Sequence, residues 1–276
     1  MSASSRMCSC PLTKFSLVTD TQAGPGLEAL LLGDWHVHSD FSDDAESPIS
    51  ANVRAAEQRG LVTMRATDHV RGDTAWVPDF VAAVVAARRT TGVELVIGVE
   101  AKIMDARGTL DVPSDLRVGT GGVDGIVIAD HQFPGPDGPW SPRETRERLA
   151  AGLAVEDALD LLIGATIAAM RAAGGGAQLA HPFSILPKVG IDESQLSAEQ
   201  LSAWASAARE TGTSIEVNEK WVCPSARAIE AALAEGATLV ASTDSHRAAD
   251  VGVYARVREL LAEVPAFGSS DAGGLA

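Results

Sequence analysis

Four residues with metal-binding side chains recur at one interval: His38, His69, Glu100 and His131 stand 31 residues apart. That interval is about one strand–helix unit. Each lies at the carboxyl end of an apolar, β-branched run: "LEALLLGDWHVH", "LVTMRATDH", "VELVIGVEA" and "DGIVIADH". Three further runs, "AQLAHP", "TSIEVNEK" and "TLVASTDSH", complete the series, with His181 closing the fifth and Asp244 and His246 the last. Amphipathic segments separate them. "SPISANVRAAEQRG" reads as a helix capped by Ser47, with Pro48 in its first turn and Gly60 at its stop, and "SAEQLSAWASAARETG" begins with Ser197 and Gln200 at capping-box spacing. Strands joined by crossover helices imply an α/β fold with one closed or nearly closed parallel barrel. An open doubly wound sheet is the alternative.

The chain length of 276 residues suits a single barrel. Aromatics make up only 4%, so the core has to be aliphatic. A formal charge of −15 disfavours long nucleic acids and anionic membranes as partners. Cys8, Cys10 and Cys223 form no disulfide framework, and no run has the makings of a signal peptide or membrane span, so a cytoplasmic protein is expected. Residues 1–26 read as an irregular extension, 27–262 as the barrel domain and 263–276 as a flexible tail.

All six histidines fall at the same end of the predicted sheet, the end that forms the active site in parallel barrels. Any one histidine, taken alone, is more often a hydrogen-bonded surface or core residue; six converging together are not. Period-two geometry sends His36 and His38 to one side of their strand, and Asp244 and His246 to one side of theirs. Imidazole combined with carboxylate, without a cysteine cluster, suits Zn²⁺, Mn²⁺ or Fe.

"HVHSDFSDD", "TDH", "GVE", "AHP" and "TDSH", in this order and spacing, resemble the PHP (polymerase and histidinol phosphatase) family over roughly residues 30 to 260. The resemblance implies a distorted (β/α)7 barrel holding two or three divalent metal ions and hydrolysing phosphoesters. It implies that His36, His38, Glu100 and Asp244 hold a first ion. Glu100 would bridge to a second on His131 and His181, and Asp43, His69 and His246 would hold a third. Asp44 competes with Asp43 for that place, and Asp43 is preferred. The implied nucleophile is metal-activated hydroxide, with Asp244, His246 and Glu100 the nearest protein groups.

Around these positions, Arg71, Lys102, Lys220 and Arg247 are candidate phosphate-binding cations, each with a solvent-exposed rim charge as its plain alternative. Asp68 is placed to orient a ligand imidazole, and Glu216 and Asn218 share a strand face with Lys220. Trp140, in the Pro- and Gly-rich loop after the fourth strand, is either a wall of the site or part of a simple connection. Arg65 is expected to form a buried ion pair below the site. The expected substrate is a small phosphorylated metabolite; the subunit number is open. The alternatives are a nucleotide or short-oligonucleotide phosphodiesterase of the same family, and an amidohydrolase-like enzyme cleaving C–N or C–O bonds. The latter typically needs a mid-barrel lysine, and no lysine ends the fourth strand.

Overall fold

A computed structural model describes residues 26–267. A helical turn, α1 (Leu27–Leu30), leads into β1 (Gly33–Val37), α2 (Ile49–Gln58), β2 (Thr63–Val70), α3 (Val77–Ala87), β3 (Glu94–Lys102) and β4 (Gly125–Ala129). A small hairpin of β5 (Phe133–Gly135) and β6 (Gly138–Trp140) precedes α4 (Pro142–Ala150) and α5 (Val155–Ala173). The chain continues through β7 (Gln178–Leu179), α6 (Ile185–Val189), α7 (Ala198–Thr211), β8 (Ser214–Asn218), α8 (Ala226–Ala234), β9 (Leu239–Ser242) and α9 (Arg256–Ala262). Seven strands pair in parallel in the order β1-β2-β3-β4-β7-β8-β9, the nearly closed barrel the alternation implied.

Closure at the β1–β9 seam is made by side chains more than by a ladder. Val37 and Ser245 form an isolated parallel bridge. His38 N donates to Ser245 O at 2.9 Å, and Ser245 N donates to His36 O at 3.3 Å. Below them the buried Asp34 carboxylate accepts from Thr243 N (3.0 Å), Thr243 Oγ1 (2.6 Å) and Gly252 N (2.9 Å). Burial pushes its pKa up to about 6 against those donors.

Outer strand faces carry the aliphatic core, with Trp204 fully buried between α7 and the loop carrying Phe183, ring centroids 5.0 Å apart. The barrel interior is polar instead: Arg65, Thr67, Gln178 and Glu216 are all buried there. Arg65 lies over Gly98, where any Cβ would come within 2.6 Å of Thr67 Oγ1 and 3.0 Å of Arg65 Cδ. The ion pair expected for Arg65 is not formed among the described residues. Its Nη2 donates to Gly176 O at 3.1 Å, and its guanidinium sits 5.5 Å from the Trp35 ring centroid.

Local expectations hold where capping decides and slip where side chains are diverted. The Ser197–Gln200 capping box forms, and α7 ends at Gly212 in the left-handed region. Ser47 does not cap α2, which starts one residue after Pro48, because its Oγ accepts from Ala248 N across the barrel mouth. Leu27–Leu30 is helical, so the first strand is shorter than its apolar run. The expected extension up to residue 25 and the tail from residue 268 lie outside the described residues. Val264, beyond the expected boundary at residue 262, is fully buried. No helix among the described residues is long and apolar enough to cross a membrane.

Asp34→Ala is expected to lower the unfolding free energy by about 3 kcal/mol, since it strips several buried donors of their acceptor. Urea denaturation checks this.

Candidate metal centre

Parallel register brings the recurring residues together. His69 pairs with Glu100 across β2 and β3, and Glu100 pairs with Val127 of β4, four residues before His131. The β1–β2 pairing shifts register between Asp34 and Val37, and His36 in β1 and His38 just after it both face Glu100.

Glu100 is the centre of the cluster and is almost wholly buried. Its Oε2 lies 3.3 Å from His36 Nε2, 3.4 Å from His38 Nε2 and 2.9 Å from His69 Nδ1. Its Oε1 lies 3.0 Å from His131 Nε2 and 3.1 Å from His181 Nε2. Asp244 Oδ1 stands 3.3 Å from His38 Nε2 and 3.6 Å from His246 Nδ1. Eight of the nine positions named as ligands are thus joined by direct contacts. The ninth, Asp43, is not among them. Asp44, not Asp43, meets the imidazoles: its Oδ2 lies 3.5 Å from His69 Nε2 and 3.2 Å from His246 Nε2. Asp43 lines the cavity without making these contacts. Two adjacent aspartates in a turn point different ways, and strand periodicity does not extend into the turn.

These donors fit divalent cations. His36 Nε2 and His38 Nε2 face each other at 2.9 Å, a spacing that admits at most one proton between them. Glu100 Oε2 is buried with no hydrogen-bond donor directed at it. Three subsets place their donor atoms within 4.8 Å of one another: His36, His38 and Glu100; His69, Glu100 and His131; and His38, His69 and His246. The donors are nitrogen and oxygen, as Zn²⁺, Mn²⁺ or Fe would take; Cys223 is buried and belongs to none of the three groups.

Protonation follows the same crowding. Burial works against ionising Glu100, but His131 and His36 beside it outweigh that and hold it well below the usual carboxylate range. Burial likewise opposes a charge on His36, yet Glu216 and Glu100 hold its pKa well above normal. His181 is raised to about 10, since Asp130 and Glu100 overcome its burial. His38 falls to about 3, because burial and the charges of His36 and His69 beside it outweigh Asp244 and Glu100.

A second layer fixes the rings. Glu216 Oε1 holds His36 Nδ1 at 2.7 Å, and its Oε2 accepts from His181 N at 2.9 Å and Asn218 Nδ2 at 3.0 Å. Asp68 does not grip the neighbouring His69 ring. It accepts from Ser39 N (2.8 Å) and Ser42 Oγ (2.6 Å), and Ser42 Oγ in turn lies 3.3 Å from His38 Nδ1. Asp130 was not anticipated, although its "ADH" repeats the "TDH" of Asp68 and His69. It lies 3.4 Å from His181 Nδ1 and accepts from Ser184 Oγ at 2.8 Å. Such carboxylate–histidine pairs set tautomer and ring orientation in metal sites.

The cluster floors a cavity of about 400 Å³ whose walls include Arg71, Lys102, Lys220 and Trp221. Lys102 Nζ stands 3.7 Å from Asp111 Oδ2, and Lys220 Nζ stands 3.5 Å from Asp244 Oδ1. Arg247 is not on this wall but lines an adjoining cavity with Lys220, Asp244 and His246, its Nε 3.3 Å from Asp250 Oδ2. Trp140 is not a wall either. It stacks on Phe133 at 5.9 Å in the β5–β6 hairpin, under Arg148 at 4.0 Å. The tryptophan at the mouth is Trp221, which the sequence reading passed over.

The PHP domain family model matches residues 34–220. The chain belongs to the PHP domain family. A probable phosphatase of Shewanella sp. (strain MR-4) is 27% identical over 241 residues, 84% of this chain and 82% of that protein. A probable phosphatase of Thermoanaerobacter sp. (strain X514) is 36% identical over 88 residues, 31% of this chain and 36% of its own. Among solved structures, the histidinol phosphate phosphatase of Lactococcus lactis, complexed with zinc, L-histidinol and phosphate, superposes with a TM-score of 0.57. It is 17% identical, and the match covers 84% of this chain and 92% of that one. This PHP chain thus shares the barrel of that enzyme.

Asp44→Ala is expected to lower the Mn²⁺ bound per chain, and Asp43→Ala to leave it unchanged, by elemental analysis after dialysis. The reverse order would favour Asp43 as the ligand.

Proposed function

We propose that this PHP-family protein is a metal-dependent phosphatase acting on a small phosphorylated metabolite at a centre of two or three divalent ions. The observation that carries the reading is Glu100, buried between five imidazoles with an oxygen facing each of two groups of them. His36, His38, Glu100 and Asp244 would hold one ion, Glu100, His131 and His181 a second, and His69, His246 and Asp44 a third. Ions bound there supply Lewis acidity, bringing the pKa of a coordinated water towards neutrality and polarising phosphoryl oxygens.

The rest of the chemistry falls to the chain's own residues. Glu216, Asp68 and Asp130 hold the ligand rings in orientation from beneath. Lys220 and Arg71 stand on the cavity wall, where they would meet the nonbridging oxygens of a phosphate, and Lys102 would do so in exchange for Asp111. Arg247 is left out of this set. A cavity of about 400 Å³ is of the size that encloses a small metabolite. The names of the Shewanella and Thermoanaerobacter relatives support a phosphatase, and the phosphate and histidinol in the Lactococcus structure support a small phosphorylated substrate.

Phosphate release from 4-nitrophenyl phosphate is expected, abolished by a chelator and restored by Mn²⁺ or Zn²⁺. A metal-loaded protein that hydrolyses none of a broad panel of sugar phosphates, nucleotides and histidinol phosphate would defeat the reading. Lys220→Ala is expected to lower kcat/KM about tenfold, the weight of one charge-assisted contact, measured in the same assay.

A further inference from the structure

Trp221 stands at the cavity mouth on a tight turn shaped by Asn218. Asn218 Oδ1 accepts from Trp221 N at 3.0 Å, Asn218 O accepts from Val222 N at 3.0 Å, and Asn218 N donates to Cys223 O at 2.8 Å. Val222, the next residue, is in the left-handed region at φ 53°. This turn aims the indole edge into the metal cluster: Trp221 Nε1 donates to Asp244 Oδ2 at 2.8 Å. The ring face is covered by Lys188 of α6, whose Nζ lies 3.9 Å from its centroid.

The two oxygens of Asp244 are therefore divided. Oδ2 is engaged by the indole, while Oδ1 faces His38 Nε2 at 3.3 Å and Lys220 Nζ at 3.5 Å. Asp244 also sits at φ 51°, a left-handed backbone that a non-glycine residue adopts at a cost and keeps only when its surroundings hold it there. On the reading given above, in which Asp244 is a metal ligand, we infer that Trp221 is a positioning residue: its N–H fixes the Asp244 carboxylate so that Oδ1 alone is presented to the metal. Partners of this kind typically change metal affinity about 10- to 100-fold when removed.

Trp221→Phe keeps an aromatic ring beneath Lys188 while removing the N–H and the second ring of the indole; Trp221 is 39% exposed, so no buried core is emptied by the change. Mn²⁺ alone is the probe, its affinity measured by competition with a chromogenic chelator for the full chain, for Trp221→Phe, for Asp244→Ala and for the double variant. Trp221→Phe is expected to weaken Mn²⁺ binding about tenfold or more. In the Asp244→Ala background it is expected to add less than about a twofold loss, because the group it acts through is gone. Unchanged affinity in Trp221→Phe overturns the inference, and so does an equal loss in both backgrounds, which would mark a merely structural role. If the unsubstituted chain binds no Mn²⁺, the metal-centre reading falls with it; if it binds Mn²⁺ and Trp221→Phe is silent, only the role of Trp221 falls.

Discussion

One buried carboxylate against five imidazoles sets the terms for everything around it. Glu100 contacts rings delivered by β1, β2 and the segments after β4 and β7, so it can be placed only if the sheet curls far enough to bring those strand ends together. A flat sheet would leave Glu100 and His181 strands apart. The seam between β1 and β9, secured by Asp34 and the Val37–Ser245 bridge, is therefore as much a part of the site as the clustered imidazoles are.

Gathering so many ionisable groups in a buried space costs desolvation, and the structure offsets it in layers. Glu216, Asp68 and Asp130 sit beneath the rings, each with its own donors from Gln178, Ser39, Ser42 or Ser184. The polar barrel interior follows from this: a site of charged groups at one end needs polar partners below it, and β7 and β8 supply them through Gln178, Glu216 and Asn218. The apolar energy of folding comes instead from the outer faces, against α5 and α7.

How much of this was legible depended on whether a regular backbone carried the signal. The 31-residue recurrence, the ends of strands and the Glu216–Asn218 face rest on strand periodicity and survived intact. What failed lies in turns or depends on partners distant in sequence. Asp43 and Asp44 are neighbours in a loop where no period says which points inward. Arg247 follows a metal motif but is paired with Asp250 three residues later. Trp140 and Trp221 are both loop tryptophans; only the packing of Phe133 against one and the turn around Asn218 beneath the other distinguish wall from filler. Arg65 showed its burial through its phase with His69, but its real neighbours, Trp35 and Gly176, come from remote segments.

On the proposed function, Glu100 is shared between cations. Anomalous diffraction from crystals soaked in Mn²⁺ tests it most directly. At least two peaks should appear, one within bonding distance of Glu100 Oε1 and another of Oε2. A mouth with no anomalous peak, or a single one that leaves Glu100 unligated, would contradict it.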